Sequence, residues 1–240
     1  APRDTAQVLS RFGHGIAIRN CFFREGNPYL REVAKYANIP VLSMQCDVYH
    51  PCQAIADLMT IQEKFHGELR GRKVAISWAH APSYMKPLSV PQSQILLFPR
   101  FGLDVVLAHP PEFELMPEIV AQAKENAEQA GTKFEIVNDM DEAFDGAHVV
   151  IPKSWGAQLR TTDPEESMAL AEAHTDWICD EQRLALAAPD VIYMHALPAD
   201  RGHEVTAAVI DGPHSVVFDE AENRLHTAKA LMALTMGGRP

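Results

Sequence analysis

The chain has 240 residues, and its 21 Lys and Arg against 32 Asp and Glu leave a formal net charge of -11. That length supports one large or two modest domains with real cores, and the acidic balance argues against a nucleic-acid surface. No apolar run reaches the length of a membrane span and no charged-then-apolar leader opens the sequence, so the expectation is a cytoplasmic protein with no membrane partner.

Asp4–Phe12 is predicted as a helix ended by Gly13 and Gly15, followed by a short buried strand over Gly15–Arg19. Arg19 falls at that strand's carboxyl end, where parallel α/β sheets bind ligands. It reads either as a surface arginine or as an anion ligand. A helix through Tyr29–Tyr36 and a strand over Ile39–Met44 lead into Asp47–Gln53. Pro51 suits a first helical position and makes His50 the N-cap, with Ile55, Leu58, Met59 and Ile61 following at helical period. An imidazole there lies beside unpaired backbone N–H groups at the positive end of a helix dipole, which disfavours its protonation; Gln53, one turn on, faces the same mouth. The plainer reading of these residues is a Pro-initiated helix with an ordinary cap.

The polar turn Glu68–Arg72 is the expected domain boundary. Lys73–Ala79 restarts as a buried strand, after which a nucleotide-binding domain would carry a glycine-rich loop. The loop here holds Pro82, Pro87 and Pro91 and no glycine, so backbone N–H groups cannot cradle a pyrophosphate, and no cofactor is expected. A helix from about Ser93 to Pro99, a strand over Asp104–Ala108 and a helix over Leu115–Ala130 stopped by Gly131 continue the alternation. Strands over Phe134–Val137 and His148–Ile151 flank the acidic stretch Asp139–Gly146. The second of them runs into Pro152-Lys153-Ser154-Trp155, which is either a ligand-facing strand end or a loop with a packing tryptophan.

Residues 156–174 read as an irregular surface segment or lid. Then come a helix over Asp176–Ala188, a buried strand over Asp190–Met194 ending at His195-Ala196-Leu197-Pro198, a polar loop over Ala199–His203, a short helix over Glu204–Ile210 and a last strand over Ser215–Phe218. A capping-box pattern, Asp219-x-x-Glu222, opens the final helix, with Arg224 in its first turn and Leu225, Ala228, Leu231, Met232 and Thr235 as its inner face. The alternation of strand and helix argues for a parallel, right-handed α/β arrangement. Cys21, Cys46, Cys52 and Cys179 show no C-x-x-C pairing and read as thiols of a reducing compartment; His195, His203, His214 and His226 lack i, i+4 spacing, and no metal is expected.

Taken as an ordered set, Arg19, His50-Pro51-Cys52-Gln53, His195-Ala196-Leu197-Pro198 and Glu222-Asn223-Arg224 resemble the aspartate/ornithine transcarbamylase superfamily, over Asp4 to the C-terminus. Any one motif is weak; four in the family's order and spacing are specific. The Pro82–Pro91 loop and Pro152–Trp155 look closest to the knotted branch, which acts on acylated ornithines or on unassigned substrates. The resemblance implies two Rossmann-like parallel-sheet domains: a carbamoyl-phosphate-binding domain over residues 1–66 and a trefoil-knotted amino-acid-binding domain over 67–200. A C-terminal segment, 201–240, would return a helix to the first domain, and three copies would form a homotrimer.

The implied reaction moves a carbamoyl group from carbamoyl phosphate to a small amine, ornithine-like or acyl-ornithine-like. In the roles this resemblance implies, His50 donates to the carbonyl oxygen, and Gln53 with the backbone carbonyl of Leu197 holds the carbamoyl NH2. Arg19 and Arg224 bind carbonyl or phosphate oxygens with His195 beside them, and Lys153, Ser154, Trp155 and Ala196 face the second substrate. Two features depart from the pattern. Ala196 stands where ornithine-type enzymes have a cysteine, and the Ser-x-Arg-Thr phosphate loop expected before Asp4 is not among these residues. The first domain is therefore expected to be N-terminally incomplete with an open sheet edge, and the 240 residues alone to be inactive. The alternative these departures raise is a non-catalytic transcarbamylase-like scaffold or small-molecule-binding protein.

Overall fold

A computed structural model describes residues 1–82 and 85–237; the Ser83 and Tyr84 part of the proline-rich loop expectation lies outside the described residues. The chain opens with α1 (Pro2–Leu9), β1 (Ile16–Asn20), α2 (Gly26–Tyr36), β2 (Val41–Cys46) and α3 (Pro51–Lys64). The two strands pair in parallel, with a bulge between Ile18 and Arg19 that re-aims the end of β1. Asp47, just past β2, accepts the backbone N–H groups of Arg24 and Asn27, both at 2.7 Å, and so ties the start of α2 to the end of the sheet. Only a glycine fits there: a Cβ on Gly26 would lie 2.0 Å from the Asn20 carbonyl oxygen. Gly26→Ala is expected to destabilise the protein by about 1–3 kcal/mol through overpacking against backbone, read as a lower denaturant midpoint; an unchanged midpoint would mean the turn shifts freely.

A second sheet contains β3 (Lys73–Trp78), β4 (Asp104–Ala108), β5 (Phe134–Val137), β6 (Val149–Lys153) and β7 (Ile192–Tyr193). Its order is β5-β4-β3-β6-β7, parallel throughout. The order turns back between β3 and β6, and the carboxyl ends of these neighbours open a crevice of the kind where α/β sheets bind ligands. Trp78 pairs with Lys153 at that rim. Around the sheet run α4 (Ser89–Leu97), α5 (Pro117–Ala130), α6 (Met140–Phe144), α7 (Pro164–Ala171), α8 (Glu181–Leu184) and α9 (Ala207–Ile210), and α10 (Val217–Met236) closes the chain. Strands covered on both faces are apolar along their length, as Val74, Ala75 and Ile76 of β3 are. Leu58 and Ile61 of α3 and Phe65 just past its end join the same core as Trp78, Phe98, Phe144 and Ile151. No helix among the described residues is long and apolar enough to cross a membrane.

Several expectations are corrected. The helix after the proline-rich loop begins at Ser89 rather than Ser93, because Pro91 sits in its first turn, where a missing N–H costs nothing. Its Ser and Gln side chains are buried and bonded: Ser89 Oγ accepts from Gln45 at 2.8 Å, Gln92 donates to the Val48 carbonyl at 2.9 Å, and Ser93 Oγ accepts the His50 N–H at 2.7 Å. Residues 156–174 are irregular only as far as Asp163, which caps α7 by accepting from Glu165 N; a 3-10 turn then covers Glu172–His174. The acidic stretch from Asp139 holds the short α6, and the helix expected over Asp176–Ala188 shrinks to α8.

Ser215–Phe218 is not a strand. Ser215 forms a lone bridge to Tyr193, and Val217 already begins α10 with Val216 as N-cap. Asp219 is thus inside the first turn and meets Lys64 Nζ at 2.5 Å instead of capping, and Arg224 lies one turn further along than expected. The inner face also differs: Glu220, Asn223 and Thr227 are buried, while Leu225 and Met232 are 60% and 42% exposed. The reason lies on α3, which buries Gln53, Asp57 and Thr60 and leaves Ile55 40% exposed. A polar stripe on one helix demands a polar stripe on the other. Asn223 Nδ2 accordingly donates to Thr60 Oγ1 at 2.9 Å and to Glu63 Oε2 at 2.8 Å.

Candidate active site

His50 is the N-cap of α3, with Pro51 behind it, as the sequence predicts, although its side chain makes no capping bond. Its imidazole is buried and Nδ1 has no partner. Burial pushes its pKa down to about 3, helped by the charges of Arg224, Arg19 and Lys153, so the ring is neutral at physiological pH. That pattern places three cations from β1, β6 and α10 around one uncharged imidazole. Cations gathered around an uncharged donor favour an anion beside it.

Gln53, one turn into α3, donates through Nε2 to Asp57 Oδ1 at 2.7 Å and Glu220 Oε1 at 3.0 Å, and its Oε1 accepts from Arg224 Nη1. Arg224 Nε is buried without a partner. Arg19 stands exposed at the end of β1 on a cleft of about 1070 Å³, shared with Asn20, Phe22, Met85, Gln158 and Thr162. A second, apolar pocket of about 490 Å³ between α2, β2 and α3 is lined by Leu30, Val41, Ala54 and Leu96 and by none of these site residues.

At the crevice of the second sheet, Lys153 ends β6 and Ser154 follows with its Oγ buried and unpartnered. His195 follows β7, both ring nitrogens without a hydrogen bond, and the chain turns through Ala196 and Leu197 into Pro198 over a cis peptide. These elements meet on Glu204. Its carboxylate, fully buried, accepts the Ser154 N–H at 2.6 Å, the Asp200 N–H at 2.8 Å and Lys86 Nζ at 3.1 Å. His195 Nε2 lies 3.2 Å away, off hydrogen-bond geometry, and Lys153 Nζ 4.0 Å away. Burial alone would raise the pKa of Glu204, but His195, Lys153 and Lys86 together hold it well below the usual carboxylate range. Burial lowers the pKa of Lys153, and Glu204 opposes that.

The carboxyl-end residues of two sheets thus bring together a neutral imidazole, an amide oxygen, two arginines and a lysine. Such a set suits a planar, anionic substrate carrying both a carbonyl and a phosphate. Among the described residues no group of three or more His, Cys, Asp or Glu could hold a metal ion. Compared with known families, residues 86–235 match the Asp/Orn binding domain of aspartate/ornithine carbamoyltransferase, and residues 1–63 match its carbamoyl-P binding domain. The chain belongs to the aspartate/ornithine carbamoyltransferase family.

Within that family the chain is 37% identical over 275 aligned positions to YgeW of Escherichia coli (strain K12), covering 99% of this chain and 69% of that one. It is 40% identical to the ornithine carbamoyltransferase of Acidothermus cellulolyticus, over 98% of this chain and 72% of the relative. A crystal structure of acetylornithine transcarbamylase complexed with acetylcitrulline superposes with a TM-score of 0.92 at 34% identity, covering 98% of this chain and 72% of that one. The α/β fold with parallel sheets of the transcarbamylase type is therefore that of a carbamoyltransferase-family enzyme.

In this carbamoyltransferase-family chain the structure gathers Arg19, His50, Gln53, Arg224 and Lys153 around one region and sets Ser154, His195, Ala196 and Leu197 on the adjoining crevice. Trp155 is placed otherwise: it is 2% exposed, its indole N–H donates to the Phe113 carbonyl at 2.8 Å, and its own carbonyl accepts from Trp78 at 2.9 Å. In this arrangement it braces the loop that carries Ser154. Sequence reading missed Asp57, Lys86, Glu204 and Glu220. Asp57 had a signal, an acidic residue at i+4 from Gln53 with Thr60 beyond it. Glu204, in a polar stretch after Pro198, had none.

Proposed function

We propose that this protein transfers a carbamoyl group from carbamoyl phosphate to the amine of an ornithine-like or acyl-ornithine-like amino acid. The observation that carries the reading is the set of buried, unpartnered polar atoms, His50 Nδ1, Arg224 Nε and Ser154 Oγ, on residues of the site. The amine nitrogen attacks the carbonyl carbon and loses a proton as the C–O bond to phosphate breaks, its electron pair leaving on the phosphate; a ureido product and inorganic phosphate result. Negative charge grows on the carbonyl oxygen, where a neutral His50 donates an N–H. Gln53 Oε1 and the Leu197 carbonyl accept from the carbamoyl NH2, and Arg19 and Arg224 bind carbonyl or phosphate oxygens. His195 adjoins Arg224 through Glu220 and Gln53.

Lys153, Ser154, Trp155 and Ala196 belong to the acceptor side in this reading, with Trp155 acting through the loop it braces. Similarity to an acetylornithine enzyme solved with acetylcitrulline supports an amino-acid acceptor; a trefoil-knotted second domain and a homotrimer belong to the same proposal. No Ser-x-Arg-Thr loop is among the 240 residues, so this polypeptide tested by itself is expected to turn over little or not at all.

The test is calorimetric titration of the full-length protein with carbamoyl phosphate, repeated in saturating inorganic phosphate, followed by an amine screen for ureido products. Phosphate-competitive binding and one productive amine are expected. Absence of binding would favour instead a non-catalytic scaffold, a reading to which Ala196 in the cysteine position already points.

A further inference from the structure

Two carboxyl groups lie buried in the seam between α3, α4, α10 and the end of β7, and the chemistry proposed above gives neither a role. Asp57 and Glu220 are 0% and 1% exposed. Each of their four oxygens has a defined partner. Asp57 Oδ1 and Glu220 Oε1 both accept from Gln53 Nε2; Asp57 Oδ2 accepts from Gln94 Nε2 at 2.7 Å; Glu220 Oε2 accepts the backbone N–H of His195 at 2.8 Å.

We propose that Asp57 and Glu220 form a positioning pair for carbamoyl transfer: by taking both donors of the Gln53 amide they turn its oxygen outward, and through His195 they set the turn that carries the Leu197 carbonyl. This rests on the carbamoyltransferase reading above. A glutamine amide is two-faced, and turned over it would press its oxygen against two carboxyl groups while aiming its NH2 at Arg224. Both sides of Gln53 oppose that orientation. One buried pair therefore fixes the two oxygens that accept from the carbamoyl NH2, one on each sheet's side of the site.

Burial raises both carboxyl groups, and the neighbouring Asp57 charge raises Glu220 further. The hydrogen bond between the two draws Asp57 down and pushes Glu220 up, and Gln94 and Gln53 also favour the ionised form of Asp57. The charged groups facing the pair are Arg224 of α10 and Lys153 at the end of β6.

Variants of the full-length protein that each remove one acceptor of the Gln53 amide test the pair. Glu220→Gln keeps one oxygen for two donors, Gln53 Nε2 and His195 N, and sets an NH2 against the other, so kcat is expected to fall and KM for carbamoyl phosphate to rise by about tenfold each. Asp57→Asn replaces an acceptor of several donors by a group that is half donor. Its expected result is a fall in kcat and a rise in KM for carbamoyl phosphate of about tenfold or more each, with the fold intact by circular dichroism.

Ligand-free wild type gives an independent readout. Both Gln53 side-chain amide protons are expected to exchange slowly in NMR spectra of wild type, and this decides the matter should neither variant fold. Near-wild-type kinetics in either variant, or fast exchange at Gln53, would overturn the proposal. A wild type with slow Gln53 exchange but no carbamoyl phosphate binding would leave the pair standing and sink the functional reading instead.

Discussion

His50→Ala in the full-length protein is expected to lower kcat about a hundredfold or more, the usual cost of removing one donor to a developing oxyanion, with a much smaller change in KM for carbamoyl phosphate. The basis is electrostatic. Burial and the charges of Arg224, Arg19 and Lys153 hold the imidazole pKa near about 3, so no proton is bound there at working pH and the ring donates as a neutral group. Rates close to wild type would remove His50 from the role.

The same shift has a consequence for stability. The unfolded chain binds a proton at His50 below its ordinary value of 6.5, whereas the folded chain does not until about 3. Through that window the unfolded state carries more protons, so stability rises with pH; the His50 contribution is complete above 6.5 and is lost as pH falls toward 3. Urea midpoints measured from pH 7 to pH 3 are expected to fall more steeply for wild type than for His50→Ala. Parallel slopes would mean the ring is protonated in the fold.

Glu204→Ala is the second large effect. The carboxylate receives two backbone N–H groups and Lys86 Nζ, and it lies 4.0 Å from Lys153 Nζ and 3.2 Å from His195 Nε2. Its removal strands two buried backbone donors and takes away the carboxylate nearest Lys153 Nζ, while Lys86 Nζ keeps Asp200 at 2.7 Å. A loss of about 3–5 kcal/mol in stability is expected, with turnover abolished. Glu204→Gln separates the two consequences, because it keeps an acceptor for Ser154 N–H and loses the charge. It is expected to fold and to show a large loss in kcat/KM for the acceptor amine, since Lys153 then sits without the anion that opposes its deprotonation. A Glu204→Gln variant with wild-type acceptor kinetics would restrict Glu204 to a folding role.

The alternation of strand and helix, the His50 N-cap with Pro51, Gly131 ending α5 and the parallel order of the sheets all follow from local rules. A cap, a proline or a left-handed glycine acts within a few residues and leaves its mark in the sequence. So do the four motifs of the carbamoyltransferase family, each a short run whose side chains need only be at the right end of a strand or helix.

The polar seam between α3 and α10 was not legible in this way. Apolar periodicity points Leu225 and Met232 inward, yet Asn223 and Glu220 are the buried positions, because what a helix buries depends on the face its partner offers. Asp57 and Glu220 are 163 residues apart, and neither announces burial; only the fold puts Gln53 between them. Ser215–Phe218 likewise has the composition of a strand, but with Val217 already starting α10 only Ser215 is left to bridge Tyr193. Sequence determined the family, the class of fold and the residue types proposed to meet carbamoyl phosphate. Tertiary structure decided their charges and orientations: the neutral His50, the outward-facing Gln53 and the buried Glu204 are set by desolvation and by neighbours distant in the chain, and these act only after the chain has closed around them.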